Sequence, residues 1–420
     1  MASILFYCLV VLLFVVPDKH FLSFNLFGLA HLNVFQFVAL VLPGTLFFIN
    51  RKYNSSKKLF FPGVLFLSYL IFISFIKDII YNGSLTGLFL ELRLSLVFIC
   101  AVLVLMLGDR VNRKVFFNLA LMSVFISYLL SLVAFIFEIP LQSYSVRYEE
   151  GAFDTLRNGR LINGNKDLSV LGVYFLFRGS ALRSVLSKRI YYFLITLAVL
   201  SISIAVLNFD RTLLALLILE VVLLTVFSEF KKLGINLFRL AVLLLIFAFL
   251  MSLAYNGNEA IRIQVDRRIL SVLFAGDVGV GLSNSVWEDN RDFMTTGAIY
   301  TFFEFPVFGS HFGFPIFTYP DGTGAFQTDV TFLNILARFG LIGFFLAGWF
   351  FIKWIIALKS SLYSTDLINR FLRDMLIMCV PLFLLYSLNH DAIYRGSVVI
   401  LLALMSTFLN RNYSLVRKNS

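Results

Sequence analysis

The sequence predicts an all-α, polytopic membrane protein with about twelve membrane-spanning helices and one large loop on the outer side. Three observations carry that expectation. The chain has 420 residues, of which 60% are hydrophobic and only 14% charged, and a mean hydropathy of +0.89. That excludes an ordinary soluble domain. Its apolar residues fall into runs of helix length, and its cations gather in short turns between those runs. The net charge of +11 would otherwise suggest nucleic acid, but clustering at alternate turns is the pattern of positive-inside topology, so no nucleic-acid partner is expected.

A spanning helix needs about 20 apolar residues, part of which interfacial flanks can supply. On that basis the spans fall near residues 2–16, 32–49, 59–76, 94–108, 115–138, 167–180, 190–208, 212–228, 239–255, 329–352, 374–388 and 396–410. Residues 1–255 hold nine of them, 256–328 form the large outer loop, and 329–420 hold the last three and a basic tail. The sixth run is interrupted by Arg178 and Arg183. The first has no basic segment before it and no small-residue cleavage site after it, so it is read as a helix and not as a signal peptide. Cys8, Cys100 and Cys379 all lie in apolar runs, which argues against a disulfide framework.

Orientation follows from the turns. Those holding Arg51 to Lys58, Arg110 to Lys114, Arg178 to Arg189, Lys231 to Arg239, Lys353 to Arg373 and Arg411 to Lys418 contain 21 of the 35 basic residues. That side is predicted to be cytoplasmic, and with an even number of helices both ends fall there. The opposite side receives 17–31, 77–93, 139–166, the Asp210–Arg211 turn, 256–328 and 389–395. In the large loop, residues 258–275 have an apolar helical face, Gly276 to Gly281 break the chain, and a second helix is predicted from Ser285 to Glu304. Pro306 and Gly309 stop it.

Chemistry concentrates on the outer side, where arginine is unexpected. Asp329 opens the tenth span in QTDVTFLNILARFGLIG; it suits a helix N-cap or a base for a hydroxyl at the membrane surface. Arg338 lies nine residues on in the same helix. An arginine at that depth is either functional or part of a structural ion pair. His311, in FGSHFG, is a second candidate base. Arg211 stands at a tight helix–helix turn, level with lipid head groups, where it could hold a diphosphate or pair with Asp210. Arg160 and Lys166 begin a similar loop-to-helix junction, and Arg291 lies among Glu288, Asp289 and Asp292 on the predicted loop helix. Neither a P-loop, a GxGxxG, an HExxH nor a metal-ligand Cys/His spacing is present, so no metal and no cofactor are expected.

Phe305-Pro306-Val307-Phe308-Gly309, followed by Gly313, Asp329, Phe332-Leu333, Leu336 and Gly340-Leu341-Ile342-Gly343, resembles the Wzy-type O-antigen polymerases and the related O-antigen ligases. Asp210-Arg211-Thr212 is similar to the "S-R-t/g" turn of that superfamily, with Asp in place of Ser, and Arg160 to Asp167 to its loop before the middle helix. The resemblance implies a GT-C-like membrane fold in the bacterial inner membrane, with its active face periplasmic. It implies transfer of a glycan from undecaprenyl diphosphate to a sugar hydroxyl of another lipid-linked repeat unit, and a chain-length regulator protein as a partner. Arg211 and Arg291 would clamp the donor diphosphate, assisted by Arg160 or Arg338, and Asp329 would orient or deprotonate the acceptor. Two departures stand out. Ligases have His where this chain has Asp329, which favours a polymerase, and three residues separate Gly309 from Gly313 where the family has one. A ligase is the first alternative. A flippase or secondary transporter is the second, and would show related halves and broken helices; the sequence displays neither. A non-catalytic scaffold would leave the outer arginines without a role.

Overall fold

The computed structural model describes residues 2–16, 23–26, 30–49, 57–81, 99–106, 111–136, 165–208, 211–226, 285–310, 317–318, 324–325, 331–360, 367–386 and 400–407. It also describes isolated positions at 96, 163, 234–235, 238, 241, 245, 252, 255–256 and 262. These are overwhelmingly helical. The elements are α1 (Ala2–Val15), β1 (Ser23–Leu26), β2 (Ala30–Asn33), α2 (Val34–Ile49), α3 (Lys57–Tyr81), α4 (Arg113–Ile136), α5 (Ser169–Arg178), α6 (Lys188–Leu207) and α7 (Arg211–Val226). They continue with α8 (Ser285–Glu304), β3 (Phe317–Thr318), β4 (Gly324–Ala325), α9 (Thr331–Ser360) and α10 (Leu367–Tyr386). Residues 99–106 and 400–407 are also helical.

Among the described residues, three helical stretches are long and apolar enough to cross a bilayer: Arg113–Ala134, Lys188–Leu207 and Phe332–Ile356. Ala2–Val15, Gln36–Ile49, Phe61–Lys77 and Thr212–Val226 are apolar but shorter. The chain is a helical membrane protein in character. Outward-facing Phe48, Phe72, Ile218 and Phe345 are each more than 60% exposed, which suits hydrocarbon and not water.

The expected helical class holds for the described residues, apart from two short antiparallel ribbons in segments expected to be mostly loop. One pairs Ser23 with Asn33 through Leu26 with Ala30, and the other pairs Phe317 with Ala325 and Thr318 with Gly324. The sixth run forms only ten residues of α-helix, flanked by 3-10 turns at Lys166–Leu168 and Gly179–Leu182. Together these form one uninterrupted helical stretch from Lys166 to Leu182, and the 3-10 turns rise more per residue than α-helix. One expectation needs correction: α9 is a broken helix, described below. The predicted loop helix Ser285–Glu304 is present with those bounds. The amphipathic stretch 258–275 lies outside the described residues, apart from helical Arg262.

The chain divides into two compact units. The first comprises Met1–Leu13, Ser23–Phe117 and Leu282–Ser420, the second Phe14–Leu22 and Asn118–Gly281. In the first, α9 is central and packs on α3, α8 and α10. Its core holds Phe66, Phe350, Trp354, Leu376 and Cys379, and the Trp354 indole donates to Ser406 Oγ at 3.0 Å. In the second, α5 packs on α6 and α7. A Cβ on Gly172 of α5 would stand 2.4 Å from Ser201 Oγ on α6, the close approach that small residues permit between membrane helices.

Candidate functional site

The centre of the first unit is a joint between the segment that follows α8 and a break in α9. Pro306 ends α8 as expected, because the residue before proline leaves the helical region and proline offers no amide. The chain then folds back: the Gly309 amide donates to the Phe305 carbonyl at 2.9 Å, and Gly309 takes φ +77°. Within α9, Gly340 has φ 65° and ψ −168°, which is not helical. L-residues with a side chain rarely adopt either φ.

A break in a membrane helix leaves backbone groups that must find partners inside the protein. In an unbroken helix, the carbonyls of Ala337, Arg338 and Phe339 would accept from residues four ahead. Here they accept from elsewhere: Ser310 N–H at 2.7 Å, Lys77 Nζ at 2.7 Å and Tyr69 OH at 2.8 Å. On the other side of the break, the amides of Leu341 and Ile342 donate to the Pro306 and Val307 carbonyls at 2.9 and 3.4 Å. The fit leaves no room for a side chain at either glycine. A Cβ on Gly309 would lie 2.3 Å from the Arg338 carbonyl carbon, and one on Gly340 would lie 2.3 Å from the Val307 oxygen.

Two cations are buried in this joint, Lys77 of α3 and Arg338 of α9, each 5% exposed. Arg338 Nη1 donates to Ser310 Oγ at 3.1 Å. Lys77 Nζ also reaches the Ser310 carbonyl at 3.2 Å and stands 6.0 Å from the centroid of the Phe339 ring. Its ammonium sits at the carboxyl end of the half-helix Thr331–Phe339, where the macrodipole favours positive charge. Ser310 thus touches both cations, through its carbonyl and its hydroxyl.

Of the sequence-predicted site residues, Arg338 is the one placed in a described network. Asp329, His311 and Arg160 lie outside the described residues. Arg211 is the first residue of α7 and Arg291 lies on α8, but their side chains are outside what is described. Arg160 and Arg211 belong to the second unit, the other four to the first. Lys77, Ser310 and Tyr69 were not singled out by sequence. The third span is predicted to end at residue 76; α3 continues to Tyr81 and buries Lys77.

The second unit has its own polar core. Asn163 Nδ2 donates to Ser131 Oγ at 2.7 Å and Ser127 Oγ at 3.1 Å, and Asn165 Nδ2 to the Phe14 carbonyl at 2.9 Å. The Tyr128 hydroxyl donates to the Asn165 carbonyl at 2.9 Å. These bonds peg the segment before α5 into the helices. They set Lys166 beside the end of α6, where its ammonium donates to Asn208 Oδ1 at 3.2 Å, three positions before Arg211. The two junctions singled out by sequence therefore meet through Lys166. No protein-family model matches the chain, and no characterised protein matches it in sequence.

Proposed function

We propose that the protein is an inner-membrane polysaccharide polymerase with about twelve spanning helices and a GT-C-like architecture, acting on the periplasmic face. Its donor is a glycan on undecaprenyl diphosphate, and its acceptor a sugar hydroxyl of another lipid-linked repeat unit. The acceptor oxygen attacks the anomeric carbon, the bond from that carbon to the diphosphate oxygen breaks, and the hydroxyl proton passes to Asp329, with His311 as the alternative base. Arginine neutralises the leaving diphosphate; Arg338 takes that role in the first unit, with Arg291, and Arg211 and Arg160 are the candidates in the second.

One observation supports this reading above the others. Two of the pieces that carry the resemblance, Phe305–Gly309 and Gly340–Gly343, are bonded to each other through Pro306 and Val307. The buried Arg338 belongs to the same joint. These two pieces of the resemblance thus form one physical joint, which is what supports the reading.

The test is the length distribution of surface polysaccharide in a strain lacking the gene, complemented with wild type, Asp329→Ala or Arg338→Gln. Deletion is expected to leave single repeat units on the acceptor, and both variants to fail at wild-type membrane abundance. Polymer accumulating on undecaprenyl diphosphate would favour a ligase. Transport gains one argument from the break in α9, since broken helices build transporter sites. Yet the half-helix ends that would face a transported ion are occupied by Ser310, Lys77, Tyr69, Pro306 and Val307. Repeat units trapped on the cytoplasmic side would nevertheless return the transport reading.

A further inference from the structure

We propose, independently of the polymerase reading, that the second half of α8 is seated in the bilayer, in the leaflet where α9 begins. Its Ile299, Tyr300, Phe303 and Val307 then lie against lipid hydrocarbon. Charge divides the helix in two. Glu288, Asp289, Arg291 and Asp292 crowd its beginning, whereas from Phe293 to Ser310 the chain carries only Glu304. A helix lying on a protein in water keeps one polar face, and the second half of α8 has none. Ala298 and Thr301 are buried, Ala298 beside Leu333 and Ala337 of α9. The opposite face holds Ile299, Tyr300 and Phe303, which are 40%, 68% and 70% exposed, and Val307 and Phe308 extend it into the turn that follows. A contiguous row of large apolar side chains marks a surface that another apolar phase covers.

Two features identify that phase as lipid and not as a protein partner. The first is continuity. The Pro306 and Val307 carbonyls accept from the amides of Leu341 and Ile342. Leu341, Ile342 and Phe345 are themselves exposed, on a stretch long and apolar enough to cross the membrane. The row on α8 therefore runs on into a surface that faces hydrocarbon. The second feature is depth. As α8 advances from Ala298 to Val307, its partners on α9 advance from Leu333 to Ile342. The two helices thus enter the membrane side by side and in the same direction. Gly340, where they meet, lies eight residues beyond Phe332, about 12 Å along the helix, which is well inside a hydrocarbon core of about 30 Å. Tyr300 and Glu304 stand four positions apart on one edge of the row. There a hydroxyl and a carboxylate reach the head groups while the ring stays in the apolar phase.

The test is the collision of spin labels with oxygen, which concentrates in lipid, and with a water-soluble nickel chelate. The whole chain, without Cys8, Cys100 and Cys379, is reconstituted in vesicles of phosphatidylethanolamine and phosphatidylglycerol. Labels are placed one at a time on Ile299→Cys, Tyr300→Cys, Phe303→Cys and Val307→Cys, with Phe345→Cys as the lipid reference. The oxygen-to-nickel ratio at Phe303 and Val307 is expected within threefold of the reference, and lower at Tyr300, nearer the head groups. A ratio at Phe303 and Val307 lowered beyond threefold by entry of nickel would place the face in water and overturn the proposal. Collision with neither reagent would show that protein covers the face, and would overturn it equally. Where cysteine variants do not accumulate, membrane abundance of Phe303→Leu and Phe303→Asp replaces the labels. The aspartate is expected at least fivefold less abundant, because hydrocarbon does not accept a carboxylate that water would; equal abundance of the two would sink the proposal.

Discussion

Tyr69 and Asn163 do the same job in different units: each supplies a hydrogen bond that the backbone or a buried hydroxyl cannot obtain from water. The Tyr69 hydroxyl is the donor to the Phe339 carbonyl at the break. Removing it in Tyr69→Phe leaves a buried acceptor unmet, which costs about 1–3 kcal/mol. We expect a lower midpoint in thermal unfolding of the detergent-solubilised protein, with no change in which residues are accessible to outer-side labelling. Asn163 bonds to the Ser127 carbonyl and to the Ser127 and Ser131 hydroxyls, and its own Oδ1 accepts from the Asn165 amide at 2.7 Å. Asn163→Ala strands several of these groups together, so we expect a loss at the upper end of about 1–3 kcal/mol or beyond. A thermal midpoint within one degree of wild type would show that water replaces the amide. Glu220 of α7 is unlike either residue: it is fully buried, and neither carboxylate oxygen has a hydrogen-bond partner among the described residues.

At the scale of elements, the joint between Phe305–Ser310 and α9 depends on two residues without a Cβ. Gly309→Ala and Gly340→Ala would each force a side chain into a positive φ, at about 1–3 kcal/mol, and into backbone atoms 2.3 Å away. Nothing flexible stands there to yield, so the cost exceeds that of φ alone. Either variant is expected to fall sharply in membrane abundance, measured by tagged protein per cell. Gly348→Ala, on the same helix with nothing beyond its own helix backbone and chain neighbours within 4 Å of the added carbon among the described residues, should accumulate normally. Equal abundance for Gly340→Ala and Gly348→Ala would mean that the break is not required. The break also explains how α9 can run from Thr331 to Ser360 while changing direction at a depth where unpaired backbone is not tolerated.

For the whole molecule the test is topology. The basic turns predict that a cysteine at Asn54, between Arg51 and Lys57, is labelled by an impermeant maleimide only after the cytoplasmic membrane is opened. A cysteine at Asn158, in the segment before α5, should be labelled in intact spheroplasts. Both experiments start from a variant lacking Cys8, Cys100 and Cys379, the three cysteines of the chain. Labelling of Asn54→Cys in intact spheroplasts would invert the orientation, and with it the side on which a donor could be used. Exposed Phe48, Phe72, Ile218 and Phe345 predict that the protein stays soluble only in detergent or lipid, since water would have to cover those faces.

Helical character, the apolar helices near several of the expected spans and the loop helix Ser285–Glu304 were legible in the sequence. Each depends on local properties: hydrophobic runs, charged turns, and a proline and a glycine that stop a helix. The candidate Arg338 was legible too, because a charge inside an apolar run is conspicuous in one dimension. Its neighbours were not. Lys77 lies 261 positions away from Arg338 and reads as the end of a span, since only packing reveals that a lysine near a boundary is turned inward. The break at Gly340 was hidden for a related reason: its sequence fits a continuous apolar helix. What decides otherwise is the arrival of Pro306, Val307 and Ser310 with the carbonyls and amide that the opened turn requires, and those partners become neighbours only in the folded chain.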